Sequence, residues 1–155
     1  MSGLNDGDTD VSELVTFRVG EQDFCVDIMT VREIRGWSPA TMLPHAPDYV
    51  MGVMNLRGAV VPIVDLSARL GLGPARPDPR HVVVIAVVGQ QTVGFLVNAV
   101  SDVIGVPKGD IQPTPAMAAE TSGRFIEGVI AFKDRMLRLL NLGALLPALD
   151  ARGVS

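Results

Sequence analysis

The sequence predicts a mostly β fold that consists of two similar small units. Short segments rich in Val, Ile and Leu alternate with turn signals about every ten residues, a spacing typical of all-β sandwiches and barrels. The 11 prolines argue against long helices. Hydrophobic residues make up 48% of the 155 residues, which is enough for a core and excludes disorder of the whole chain.

Four hairpins account for the predicted strands. Each pairs two apolar segments across a short turn, at Gly20-Glu21, Arg57-Gly58, Gly89-Gln90 and Lys133-Asp134. In chain order the predicted strands are residues 14–19, 24–26, 50–56, 59–66, 81–88, 91–97, 125–132 and 135–142. Helices are predicted only at 66–70 and 142–149.

An internal repeat supports the prediction of two units. With an offset of 69 residues, residues 20–28 align with 89–97, and the segment that begins at 31 aligns with the one that begins at 100. With an offset of 76, the segment at 63–66 aligns with the one at 139–142. Chance similarity between β-rich segments is the alternative interpretation. Each copy would hold about five strands, which favours a small closed barrel because closure removes exposed strand edges.

The domain boundaries follow from this repeat, with residues 13–147 as a single domain. The predicted parts are, in order, a flexible acidic tail at 1–12, subdomain 1 at about 13–70, a linker at 71–80, subdomain 2 at about 81–147 and a C-terminal tail at 148–155. Units of roughly 60 residues are marginally stable alone, so the two should share a hydrophobic core.

Charge is unevenly distributed along the chain. The formal net charge is −4, and the acidic residues Asp6, Asp8, Asp10 and Glu13 all precede the first basic residue. The rest of the chain is therefore neutral and lacks the basic surface that nonspecific nucleic-acid binding requires. No apolar run is long enough for a transmembrane helix, and the acidic N-terminus is unlike a signal peptide, so a cytoplasmic protein is expected.

The sequence offers few residues for catalysis or metal binding. Cys25 is the only cysteine, which excludes a disulfide scaffold, and two histidines, His45 and His81, are too few for a zinc site. We therefore expect no metal and no cofactor. Glu33 and Asp102 occupy equivalent positions in the two copies, so a carboxylate pair for acid–base catalysis stays open as an alternative to two solvent-facing acids.

The hairpin around Gly58 is the remaining candidate site. Asn55 and Arg57 lie beside a turn between two apolar strands, and Gly58 supplies a turn conformation that other residues adopt at a cost. Arginine presents five donors in a rigid fork and is frequent at interfaces. The residues alone leave two interpretations open, an interface anchor and an exposed hairpin tip.

This hairpin carries a resemblance to a known family. The segments 52–58 (GVMNLRG) and 61–66 (VPIVDL) closely resemble the signature of the CheW-like family of bacterial chemotaxis coupling proteins. Further matches follow in the family's order at 31–36, 97–103, 111–115 and 134–136. The resemblance covers about residues 13–147.

The resemblance implies two SH3-like five-stranded β-barrel subdomains that share a hydrophobic core, with short helices, in a non-enzymatic adaptor. Such proteins couple methyl-accepting chemoreceptors to the histidine kinase CheA in chemotaxis signal transduction and array assembly. The implied partners are the receptor's cytoplasmic hairpin tip, the CheA regulatory domain and, in rings, other CheW-like proteins. The implied location is the cytoplasm, at the inner face of the membrane or in cytoplasmic clusters. A coupling protein of a non-flagellar chemosensory pathway is the alternative within the family.

The resemblance also assigns site residues. The receptor-binding groove is implied to contain Val31, Glu33, Ile34, Asn55, Leu56, Arg57 and Gly58, with Val97, Val100 and Val103 as its opposite wall. A kinase or ring contact is implied at Ile111, Pro113 and Met117. The family often has a larger aromatic residue near position 117, and methionine can fill an apolar pocket in its place.

Overall fold

The computed structural model describes residues 10–37, 46–76, 78–113 and 124–146, and these residues form a mostly β protein. The strands are β1 (Val11–Val19), β2 (Gln22–Asp27), β3 (Val31–Gly36), β4 (Val50–Leu56), β5 (Ala59–Asp65), β6 (Val82–Val88), β7 (Gln91–Val97), β8 (Ala99–Pro107), β9 (Gln112–Pro113), β10 (Ile126–Phe132) and β11 (Arg135–Leu140). The helices are short: α1 (Leu66–Arg69), α2 (Leu142–Leu145) and 3-10 helices that include Ile28–Thr30 and Lys108–Asp110. None of the helices in the described residues is both long and apolar enough to span a membrane.

The strands form two sheets. Sheet A has the order β8-β1-β2-β11-β10-β9, and sheet B has the order β3-β6-β7-β5-β4. Neighbouring strands are antiparallel except for β2 with β11 and β5 with β7, which are parallel. The prediction of a mostly β protein with few short helices is therefore confirmed.

The internal repeat reappears as a relation between the sheets. When each strand of sheet B is replaced by its equivalent in the other copy, the order becomes β8-β1-β2-β11-β10, which is the order of five neighbouring strands in sheet A. The turn glycines of the two first hairpins, Gly20 and Gly89, both have a φ of 63°. The sixth strand of sheet A, β9, lies between β8 and β10 of the second copy, where the offset of the repeat changes from 69 to 76. These equivalences favour a true duplication over chance similarity.

The predicted linker at 71–80 does not separate the two sheets, and this corrects the division into 13–70 and 81–147. Strands β1 and β2 of the first copy lie in sheet A, whereas β3, β4 and β5 lie in sheet B; strands β6 and β7 of the second copy lie in sheet B. The chain crosses between sheets at the 3-10 helix Ile28–Thr30 and again near Asn98. Each copy thus gives its first hairpin to the other, which buries apolar surface of both copies in common.

Three strands of the structure are absent from the strands predicted by apolar alternation: the two-residue β9 and the longer β3 and β8. Both β3 and β8 are edge strands, and few of their side chains are buried. Charged residues such as those of β3 protect an edge from pairing with other chains, and exposure of most positions weakens the alternating signal. The repeat aligned these two segments without identifying them as strands.

The described residues form three apolar clusters. The largest lies between the sheets and takes side chains from both, among them Phe17, Phe24, Val84 and Phe95. A second cluster contains buried side chains of sheet A only, including Cys25, and a third those of sheet B only, including Ile85. Because successive side chains of a strand point to opposite faces, each sheet packs one face on its partner and curls around its own cluster on the other. The predicted shared core is present.

The same capping arrangement ends β5 and β11. Asp65 Oδ1 accepts the backbone N–H of Ala68 at 3.3 Å and so caps α1, and Asn141 Oδ1 accepts that of Ala144 at 3.4 Å at the start of α2. Asp65 Oδ2 also accepts the N–H of Ala75 at 2.9 Å. This second bond ties the connector to the end of β5.

Candidate functional site

The turn between β4 and β5 presents Arg57 to solvent. Arg57 has a φ of 54° and Gly58 a φ of 86°, and a two-residue turn with positive φ at both positions matches the twist of a hairpin. Asn55 Oδ1 accepts the backbone N–H of Gly58 at 3.0 Å, which closes the turn. The Arg57 side chain is 68% exposed. The turn therefore holds a cation outside the apolar cluster of sheet B.

Arg57 forms a bidentate ion pair with Glu33 of β3. Its Nη1 donates to Glu33 Oε2 at 2.6 Å, and its Nη2 donates to Oε1 at 3.2 Å. Arg35 Nη1 lies 3.5 Å from the same carboxylate. β3 and β4 are the two outer strands of sheet B, so the contact shows that the sheet curls until its ends approach each other.

The ion pair changes the ionisation of both partners. The hydrogen bond from Arg57 is the main reason why the pKa of Glu33 lies below its usual value, and the same bond raises the pKa of Arg57. Exposed ion pairs add little to stability because solvent screens them. The pair therefore serves mainly to hold two charged groups in a fixed arrangement at the surface.

Apolar side chains are exposed on the edge strands of both sheets. Ile34 on β3 is 45% exposed, and Val103, its equivalent on β8, is 51% exposed. Val31 and Val100 are also equivalent, and both are partly buried against the cluster between the sheets. Each of the two edge strands thus carries one exposed apolar side chain and one that packs at the border of the cluster between the sheets.

Two residues of the predicted groove are not available to a partner. Leu56 is 8% exposed and packs in the cluster of sheet B, and Val97 is 2% exposed and lies in the cluster between the sheets. The resemblance places both in the groove, whereas the structure buries both side chains. They support the surface from below.

The predicted kinase or ring contact is described only in part. Pro113 is exposed in β9 and pairs with Gly128, while Ile111 is partly buried against the cluster of sheet A. Met117 lies outside the described residues. A β-carbon on Gly128 would stand 2.8 Å from Ile111 Cγ2, so glycine there allows the close approach of β9.

Sequence reasoning missed two residues at this site. Arg35 contacts the same Glu33 carboxylate as Arg57. Because Arg35 lies two residues after Glu33 in one strand, the spacing could have indicated that both side chains are on the same face of the sheet. Val60 in β5 is 62% exposed, three residues after Arg57. A valine in an apolar strand is usually expected to be buried, so the sequence pattern gave no sign that Val60 is exposed.

The two carboxylates of the alternative acid–base pair lie in different sheets and have other hydrogen-bond partners. Glu33 is held by arginines in sheet B, and Asp102 lies in sheet A, where its Oδ1 accepts the N–H of Val103 at 2.9 Å. The lowered pKa of Glu33 is the opposite of what a general acid needs. Burial raises the pKa of the Cys25 thiol to about 12, which makes it a poor nucleophile. Within the described ranges no three His, Cys, Asp or Glu side chains converge on a metal position.

Comparison with known proteins decides the family. The model of the CheW-like domain matches residues 13–150. The chain belongs to this family. It is 57% identical to the chemotaxis protein CheW of Rhizobium meliloti (strain 1021) over 136 residues, which cover 88% of each chain. It is 52% identical to the probable chemotaxis protein CheW of Rhizobium etli over 145 residues, or 94% of this chain and 92% of that one.

A solved structure agrees with this CheW-like assignment. The crystal structure of the scaffolding protein TtCheW from Thermoanaerobacter tengcongensis superposes with a TM-score of 0.80 at 30% identity, covering 86% of this chain and 91% of that one. Members of the CheW-like family are scaffold and adaptor proteins of chemotaxis, not enzymes. The chain is accordingly a chemotaxis scaffold protein, and the enzyme alternative is set aside.

Proposed function

We propose that this CheW-like chain couples methyl-accepting chemoreceptors to the histidine kinase CheA and binds the receptor's hairpin tip at the edge strands of its two sheets. The observation that carries the proposal is the bidentate pair between Arg57 and Glu33, because β3, the strand of Glu33, also exposes Ile34. Membership of a family of chemotaxis scaffolds supports the choice of partners.

The chemistry of this surface suits an amphipathic helix. Helices that dock in a groove bury a row of apolar side chains, while charged groups at the rim fix their register. Ile34 and Val103 offer exposed apolar contacts, and Val31 and Val100 offer partly buried ones. The two hydrogen bonds to Glu33 hold the guanidinium of Arg57 in a fixed orientation at this surface.

The contact with the kinase is proposed at β9 and the residues that follow it in the sequence. Pro113 is exposed, and Ile111 anchors the strand against the cluster of sheet A. We assign Met117 to the same contact by family resemblance. Receptor binding would bring the protein to the inner face of the membrane or to cytoplasmic receptor clusters.

A binding experiment with the whole chain tests the proposal. The purified protein is titrated separately with a receptor hairpin-tip fragment and with the CheA regulatory domain, both from the same cell. We expect saturable binding to each, and formation of a ternary complex when all three are mixed. Absence of binding to either partner would contradict the proposed coupling.

A further inference from the structure

We infer that Asn55 is a positioning residue that acts on the receptor through Arg57 and does not itself touch the receptor. This inference rests on the proposed function, since it concerns how the receptor surface is arranged. Asn55 Oδ1 is already engaged, because it accepts the Gly58 N–H at 3.0 Å. This side-chain oxygen therefore points toward the β4–β5 turn and forms its hydrogen bond there.

The bond from Gly58 constrains the residue between them. Arg57 has a φ of 54°, a region that costs a non-glycine residue of the order of 1 kcal/mol or more and is kept only when neighbouring contacts enforce it. Asn55 and Gly58 enclose Arg57 on both sides and close the turn at that φ. The direction of the Arg57 side chain toward Glu33 depends on this backbone conformation. Fixing the turn thus fixes both hydrogen bonds of the ion pair.

The equivalent hairpin of the other copy provides an internal comparison. Its turn residues Lys133 and Asp134 have φ values of 49° and 66°, so the same turn forms there. Ala131 occupies the position equivalent to Asn55 and has no side-chain acceptor. The turn therefore does not need the asparagine in order to fold. There, Lys133 lies 5.3 Å from the centre of the Phe132 ring, a contact with broader geometric tolerance than a bidentate pair.

The difference between the hairpins points to the role of the asparagine. The side-chain acceptor is present at the turn whose cation must meet a carboxylate with both nitrogens, and it is absent at the turn whose cation packs on a ring. Two parallel N–H···O bonds require closer control of direction than a contact with a ring face. Asn55 supplies that control.

The first test measures the ion pair directly. The pKa of Glu33 is followed by NMR of its carboxyl carbon in the wild-type chain and in Asn55→Ala and Ala131→Asn. We expect the pKa of Glu33 to rise toward its ordinary value in Asn55→Ala and to stay unchanged in Ala131→Asn, because position 131 is in the other sheet. An unchanged pKa in Asn55→Ala would overturn the inference. Thermal unfolding of each variant shows whether it is folded.

The second test is a double-mutant cycle on binding of the receptor hairpin-tip fragment. We expect Asn55→Ala to weaken binding about two- to tenfold, the range for one net hydrogen bond, and Asn55→Asp to restore it. In an Arg57→Ala background, Asn55→Ala should have no further effect. If the two losses multiply, Asn55 contacts the receptor and the inference is overturned.

The cycle also separates the inference from the proposed function. If Arg57→Ala weakens binding but Asn55→Ala does not, the positioning role is wrong and the receptor site stands. If neither substitution changes binding, the receptor does not use this hairpin, and both the proposed site and the inference are overturned.

Discussion

The Arg57–Glu33 pair shows how a single contact can organise a surface without adding much stability. Both side chains reach solvent, and the two hydrogen bonds are well formed at 2.6 and 3.2 Å. Solvent screening limits the energy of such pairs. The ion pair acts mainly on geometry. It connects the two ends of sheet B close to the exposed apolar side chain of Ile34.

The charge of Glu33 gives the pair a defined pH dependence. Its pKa is lower in the folded chain, so the pair contributes stability above the pKa of the unfolded state and loses it as the pH falls through the folded-state pKa. We expect urea unfolding to show a small excess stability of the wild type over Glu33→Gln at neutral pH, which vanishes in acid. An excess that grows on acidification would contradict this sign.

At the scale of elements, the hairpins were the best predicted part of the fold. Turn glycines such as Gly20 and Gly89 mark them directly, since both adopt a positive φ. The edge strands β3 and β8 carry most of the exposed site and were the least visible, because few of their side chains are buried. The two-residue strand β9 has no periodicity that a sequence could reveal. Local patterns therefore predict hairpins well and edges poorly.

Gly94 of β7 lies where the packing leaves no space for a side chain. A β-carbon there would lie 2.7 Å from Ile63 Cδ1 and 2.8 Å from Val83 Cγ1. We expect Gly94→Val to lower the free energy of unfolding by about 1–3 kcal/mol, because the cluster of sheet B must rearrange. The measurement is urea unfolding. Gly36→Val is the matched control, since a β-carbon on Gly36 meets no atom within 4 Å. Equal effects of the two substitutions would contradict the close packing.

At the scale of the whole molecule, the repeat predicted the duplication but not its connectivity. The two first hairpins have similar patterns, so either could complete either sheet, and the sequence contains no signal for the exchange. The same limit applies to the site. Leu56 and Val97 match the family motif, yet both are buried, because a motif does not distinguish a contact residue from the core beneath it. Ile34 and Arg57 are exposed and Glu33 is half-buried, and their contact with a receptor stays a prediction.

Arg69 links the two copies at the helices. Its guanidinium lies 4.3 Å from the ring centre of Tyr49 and 4.8 Å from that of Phe125, which are equivalent residues under the repeat. Its Nη2 also donates to the Ala144 carbonyl of α2 at 3.1 Å. One side chain from α1 therefore contacts the first and the second copy together.

Removing this link should weaken the whole molecule. We expect Arg69→Met to lower the free energy of unfolding by about 1–2 kcal/mol, through loss of the cation–π contacts and the bond to α2. Denaturant unfolding measures the change. Arg124→Met is the control, since Arg124 also lies 4.8 Å from the Phe125 ring centre but is exposed. A larger loss in the control than in Arg69→Met would refute the linking role.

The central claim is that the β4–β5 hairpin, which carries Arg57, binds the receptor, whereas the equivalent β10–β11 hairpin, which carries Lys133, does not. The most direct measurement is the affinity of the whole chain for a receptor hairpin-tip fragment after the same charge reversal at each turn, Arg57→Glu and Lys133→Glu. For an interface hot spot we expect Arg57→Glu to weaken binding about thirtyfold, and Lys133→Glu to leave it within about twofold. Equal losses, or unchanged affinity in Arg57→Glu with both variants folded, would contradict the account.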